Sequence, residues 1–135
     1  MLDLKLIRIL IVDDDEDDYI IIRDILSEVP EVQYQIEWAD NYSLGLKLLT
    51  ERSYDACLLD YRLGKHSGME LLREIANIKS RIPVILLTGL RDHDVDVEAM
   101  NSGAADFLVK GEVNAVILER SIRYAIEREK MEEEL

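Results

Sequence analysis

Five short apolar runs punctuate the chain: Leu6–Val12, Ile36–Trp38 with its flanks, Asp55–Leu59, Pro83–Leu87 and Phe107–Val109. Apart from Arg8 in the first and the leading Asp55 in the third, the first, third and fourth are continuously apolar, the pattern of strands covered on both faces, as in a parallel sheet. Between them lie longer stretches with helical spacing: Asp17–Val29, Tyr42–Arg52, Gly68–Lys79 and Val95–Asn101. Ile21, Ile22, Ile25, Leu26 and Val29 mark an apolar face on the first; Leu71, Leu72, Ile75 and Ile78 mark one on the third. Pro30, Gly64, Gly68 and the glycine-bearing stretch 101–106 supply the breaks. Strands alternating with helices imply right-handed crossovers and a doubly wound, five-stranded parallel α/β sheet.

The last segment, Asn114–Leu135, contains neither Gly nor Pro. At about 22 residues it is long for a closing helix, which averages about 11–12. Its first half offers an apolar face (Val116, Ile117, Leu118, Ile122, Ala125), while the part after Ile126 is almost all charge. Ile117, Tyr124 and Met131 recur at seven-residue spacing, a coiled-coil seam weakened by the polar Ser121 and Arg128. A solvated helix end fits the pattern equally well. The expected division is a domain over residues 1–125 and, over 126–135, a helical extension that could serve as a linker.

A chain of 135 residues with 48% hydrophobic content supports one domain with a real core. The net charge of −13 argues against direct nucleic-acid binding, which needs Lys and Arg on phosphates, and against anionic membrane surfaces. The lone Cys57 lies in an apolar run and reads as a buried thiol in a reducing compartment. No apolar stretch approaches the roughly 18 residues of a membrane span, and the charged start has no signal-peptide pattern. A cytoplasmic setting is expected.

The chemistry is concentrated where strands end. The stretch Ile9–Tyr19 reads ILIVDDDEDDY, a buried strand running into six acids. In open α/β sheets, ligands bind beyond the carboxyl ends of the strands. There the first run ends in Asp13 and Asp14, the third in Asp60, the fourth in Thr88 and the fifth in Lys110. Two carboxylates about 4 Å apart repel by roughly 4 kcal/mol at an effective dielectric of ~20. Three close together cost on the order of 10 kcal/mol, comparable to the stability of a small domain. One lysine cannot neutralise three acids, so a hard divalent cation with oxygen ligands, Mg²⁺, is expected. Asp15, Glu16, Asp17 and Asp18 enter the following helix, where negative charge suits the positive end of the dipole; Asp15 and Glu16 read as loop and capping residues.

The motifs ILIVDDDED, DACLLDYRLGKHSGMELL, PVILLTG and AADFLVKG, in that order over about residues 6–125, resemble the receiver domains of two-component response regulators. The resemblance implies a flavodoxin-like sheet of strand order 2-1-3-4-5. It implies that Asp60 accepts a phosphoryl group from a sensor histidine kinase or phosphotransfer protein. It implies further that Asp14 ligates Mg²⁺ directly and Asp13 mainly through water, with Asp60 and the Arg62 backbone carbonyl completing the protein ligands. Thr88 would bond the phosphoryl oxygens and Lys110 would pair with them. Phe107 matches the aromatic switch position; a plain core Phe is the competing reading. The switched surface would be the fourth helix, fifth strand and fifth helix, with homodimerisation there or through the last helix. Such a domain catalyses its own phosphorylation and dephosphorylation without being an enzyme in the ordinary sense.

Departures from the family pattern are visible. Gly111 follows Lys110 where the family usually has proline, so a trans bond and an altered loop are expected, because a cis non-proline bond costs ~2.5–4 kcal/mol. Arg62, a long cation two residues after Asp60, is expected to slow dephosphorylation. His66 and His93 read as surface histidines. A haloacid-dehalogenase-type phosphatase would need a nucleophile-x-Asp pattern after the first strand and leaves Asp60 unexplained. A P-loop is absent, since LGKHSG lacks the upstream glycine and the Ser or Thr after the lysine. A pseudo-receiver acting only in protein interaction remains the alternative. The closing LERSIRYAIEREKMEEEL resembles connectors that join receivers to sensory, histidine-kinase or diguanylate-cyclase domains.

Overall fold

The computed structural model describes residues 4–78, 81–89 and 93–134, the side chains of residues 93–96 excepted. Lys79, the expected end of the third helix, Leu135, the expected end of the last, and the side chain of His93 therefore lie outside the described residues. The elements are β1 Lys5–Val12, α1 Glu16–Ser27, β2 Val32–Ala39, α2 Tyr42–Glu51, β3 Ala56–Asp60, α3 Gly68–Ala76, β4 Val84–Thr88, α4 His93–Asn101, β5 Asp106–Val109 and α5 Ala115–Glu133. A two-residue antiparallel hairpin, Arg62–Leu63 with His66–Ser67, follows β3, and a 3-10 turn, Lys110–Glu112, follows β5.

The strands form one parallel sheet in the order β2-β1-β3-β4-β5; the alternation of strands and helices predicts the parallel sheet, and the order is the one the family resemblance implies. Period-two alternation along the central strands divides their apolar residues between two helical layers. Leu10, Val12, Cys57, Leu59, Val84 and Leu86 pack with residues of α2, α3 and α4. Ile9, Ile11, Leu58, Ile85 and Leu87 pack with Ile22 and Leu26 of α1 and Leu118, Ile122 and Ala125 of α5. Each such side chain, when fully buried, contributes about 1.5–3 kcal/mol. Gly45 lets α2 approach the sheet closely: a Cβ there would stand 2.9 Å from Val12 Cγ1.

Several boundaries differ from the sequence expectation. β2 runs the full Val32–Ala39 because, as an edge strand, it alternates half-buried and exposed residues and never shows a continuous apolar run. α1 stops at Ser27 and α3 at Ala76, since Glu28 and Asn77 donate back to the last turns; Val29 and Ile78 still pack against the core. Ile21 and Val116, expected on buried faces, are 54% and 70% exposed. Ile21 adjoins Ile22, and Val116 lies two residues before Leu118; these buried neighbours take the core-facing angle. Tyr124 and Met131 are exposed, whereas Ile117 is half-buried, so the seven-residue stripe is an open ridge only along its later part. No described helix is long and apolar enough to cross a membrane.

Candidate functional site

Strand register assembles the site. Val12 pairs with Leu59, so Asp13 emerges beside Asp60. Asp60 pairs with Leu87, which puts Thr88 next to it, and Thr88 pairs with Val109, which delivers Lys110. Asp13 is 2% exposed, and Asp60 and Thr88 are 7% exposed each, so these polar side chains are held in the protein rather than in bulk water. One carboxylate oxygen from each of Asp13, Asp14 and Asp60 lies within 4.8 Å of the other two.

Lys110 reaches into this group from the end of β5. Its Nζ donates to Asp13 Oδ2 at 2.9 Å and Asp18 Oδ2 at 2.8 Å, and lies 3.2 Å from Asp60 Oδ1. Backbone and ring donors complete the frame. Asp13 Oδ1 accepts from the Asp15 N–H at 2.9 Å, and Asp14 Oδ2 from the Gly64 N–H at 2.9 Å. The Trp38 indole donates to the Asp13 carbonyl at 2.8 Å. Asp15 is the N-cap of α1, accepting from the Asp18 N–H, with Glu16, Asp17 and Asp18 at the positive end of the helix dipole.

The electrostatics reflect an excess of anionic oxygen. Burial, joined by the charge of Asp13, pushes the Asp60 carboxyl from 3.8 up to about 7, against the pull of Lys110 and the Arg62 N–H. Burial alone would lower the Lys110 ammonium; the hydrogen bonds to Asp13 and Asp18 and the charge of Asp60 outweigh it and hold the lysine above its ordinary value. A carboxyl that resists ionisation beside an ammonium that holds its proton marks a pocket short of positive charge.

The family model for the response regulator receiver domain matches residues 9–122. This chain belongs to that family. Among curated relatives, the receiver domain is 35% identical over 104 residues to the transcriptional regulatory protein ZraR of Klebsiella oxytoca, covering 77% of the chain and 23% of that protein. It is 34% identical to the regulatory protein AtoC of Escherichia coli, covering 76% and 22%. The chain thus spans under a quarter of the length of these relatives. Among solved structures, a receiver domain protein from Clostridium thermocellum superposes with a TM-score of 0.81 at 35% identity, covering 93% of this chain and 98% of that one. A CheY-like receiver domain protein from Methanospirillum hungatei gives 0.80 at 28%, covering 96% and 99%. The matched region is therefore a receiver domain of two-component response regulators.

The sequence-predicted residues Asp13, Asp14, Asp60, Thr88 and Lys110 all meet at this rim. Arg62 has an exposed side chain, while its N–H bonds the Asp60 carboxylate. Phe107 is half-buried against the α2–α4 layer. His66 is exposed, stacked on Tyr42 and bonded to Glu70. Cys57 is fully buried with its thiol pushed up by burial. No peptide bond among the described residues is cis, so Lys110–Gly111 is trans as expected. Two contributors escape the sequence pattern. Asp18 reads there as a dipole residue, yet its carboxylate bonds Lys110. Helical side chains lean towards the N-terminus, so an acid one turn in can point back over the strand end, and that geometry is the signal that could have found it. Gly68 is the other: a Cβ there would stand 2.2 Å from the Asp60 carbonyl oxygen, and its N–H donates to the Tyr61 carbonyl.

The three clustered carboxylates suit a hard cation, since they offer oxygen donors only and their charge exceeds what Lys110 offsets. Such an acidic pocket is where receiver domains bind Mg²⁺.

Proposed function

We propose that Asp60 is the phosphoacceptor and that Asp13, Asp14, Asp60 and the Arg62 carbonyl hold Mg²⁺, Asp14 directly and Asp13 mainly through water. Asp13 already has a protein donor on each of its oxygens, which supports the water-mediated role. The observation that carries the reading is the convergence of a carboxylate trio with a buried threonine and a lysine on four adjacent strand ends.

An Asp60 carboxylate oxygen attacks phosphorus; the bond from phosphorus to the donor's leaving group breaks, and the leaving group departs with the electron pair. Asp60 must be ionised to attack, which Lys110 favours by its charge. When bound, Mg²⁺ supplies positive charge at the phosphoryl oxygens and lowers the Asp60 carboxyl. Lys110 turns a donor to the new phosphoryl oxygens, and the Thr88 hydroxyl donates to another. Inward movement of Thr88 leaves space for the Phe107 ring, so that the α4-β5-α5 surface changes. The donor is a phosphohistidine on a sensor histidine kinase or phosphotransfer protein, in the cytoplasm. α5 continues past its last core residue, Ile126, to Glu133. The part of the helix beyond Ile126 would pass the change on, as a linker or in a homodimer.

Incubation with acetyl phosphate and Mg²⁺ followed by intact mass tests this. A gain of one phosphoryl group by the wild type, lost with chelator and in Asp60→Asn, is expected. No gain by the wild type would leave the protein an interaction module without phosphoryl chemistry.

A further inference from the structure

The Lys110 ammonium has three N–H donors and meets three carboxylates with different duties. Asp60 is the phosphoryl acceptor in the reading above, on which this inference rests. Asp13 belongs to the trio that would hold the metal. Asp18 belongs to neither group, yet at 2.8 Å it makes the shortest of the three contacts.

We propose that Asp18 is a positioning residue: it keeps the Lys110 ammonium anchored beside Asp60 while the other two carboxylates are drawn into metal and phosphoryl chemistry. When an Asp60 oxygen forms its bond to phosphorus it becomes the bridging oxygen of an acyl phosphate, and the carboxyl stops being an anionic partner of the lysine. A metal beside Asp13 likewise competes for that carboxylate. An ammonium left with neither would swing on a four-carbon stem with large rotamer freedom. With Asp18 in place it pivots about one fixed bond and turns its freed donor to a phosphoryl oxygen.

The anchor is itself rigidly set. The Asp18 N–H is bonded to the Asp15 carboxylate at 3.1 Å, and the Asp15 N–H to Asp13 Oδ1 at 2.9 Å, so the first turn of α1 is registered to the end of β1. The next residue, Tyr19, stacks on Trp38 with ring centroids 4.4 Å apart and planes 2° from parallel. Trp38 in turn donates to the Asp13 carbonyl. A carboxylate on this clamped turn can act as a fixed post, which one on a free loop cannot.

Asp18→Ala, Asp18→Asn and wild type are compared in two measurements: the phosphorylation rate at saturating acetyl phosphate and Mg²⁺, and the Mg²⁺ Kd by calorimetry. Loss of a charge-assisted anchor should slow the Ala variant about tenfold at saturation, with Asp18→Asn, which keeps an acceptor without the charge, in between. The Mg²⁺ Kd should change by no more than about threefold, since Asp18 is a partly exposed charge outside the trio. A rate in Asp18→Ala equal to that of the wild type overturns the proposal. So does a rate that falls only in step with lost Mg²⁺ affinity. Should the Ala variant not fold, Asp18→Asn decides on the same criteria. A wild-type chain that takes up no phosphoryl group refutes the assignment of Asp60 and this inference together, whereas uptake with indifference to residue 18 refutes this inference alone.

Discussion

Replacing Asp60 by Asn should stabilise the metal-free protein at neutral pH and do nothing in acid. The Asp60 carboxyl rises from 3.8 to about 7, first through burial and then through the charge of Asp13. Between those two values the folded chain holds a proton that the unfolded chain has released. Stability from this group is therefore intact below about pH 4 and is lost as pH climbs to about 7. A tenfold change in proton affinity corresponds to about 1.4 kcal/mol. The rise of Asp60 therefore sets a ceiling of about 4 kcal/mol. The figure falls to about 2–3 kcal/mol because Asp60 shares its electrostatic interaction with the Lys110 ammonium 3.2 Å away, so that not all of the shift belongs to Asp60 alone. Asn removes the titration and the charge while keeping the shape. Urea unfolding in chelator, followed by the single Trp38, reads the difference. Wild type and Asp60→Asn should match near pH 4 and diverge until the variant leads by about 2–3 kcal/mol at pH 8. Saturating Mg²⁺ should close most of that gap by binding only the folded wild type. Parallel curves across the whole range would refute the idea that the site is strained by its own charge.

Lys110→Ala should destabilise by about 3 kcal/mol at pH 8 by stranding buried anions, and by less at pH 5, where Asp60 takes a proton; the same urea series checks it. Gly68→Ala should cost about 3 kcal/mol, because its Cβ would overlap the Asp60 carbonyl oxygen, and should displace the Asp60 loop enough to abolish phosphoryl uptake in the mass assay. Arg62→Ala should shorten the life of the phosphorylated protein several-fold if the guanidinium pairs with the phosphoryl group or shields it from water. Decay after removal of the donor measures it, and an unchanged lifetime rejects the role.

The core strands are legible in the sequence because β3, β4 and the Ile9–Val12 part of β1 are buried on both faces and are therefore apolar up to their polar ends. β2 is less so, since an edge strand needs burial on only some positions and its pattern alternates. The hairpin after β3 leaves no periodic trace, two residues per strand being too short to carry one. At the site, the five residues at strand ends can be read because the chemistry of a parallel sheet lies at its carboxyl edge. Asp18 cannot be separated from its acidic neighbours by charge alone. What singles it out is its place one turn inside α1 opposite a lysine 92 positions away in sequence. The exposure of Ile21 and Val116 close to buried Ile22 and Leu118 shows how little neighbouring aliphatics on a helix reveal which one faces inward.

Locating the covalent bond tests the central assignment most directly. An acyl phosphate is reduced by borohydride to an alcohol, which would turn a phosphorylated aspartate into homoserine that peptide mass analysis can place. After treatment with acetyl phosphate and Mg²⁺, homoserine at position 60 is the expected result. Homoserine at position 13, 14 or 18, or at no position in a sample whose intact mass has risen, would contradict the assignment of Asp60.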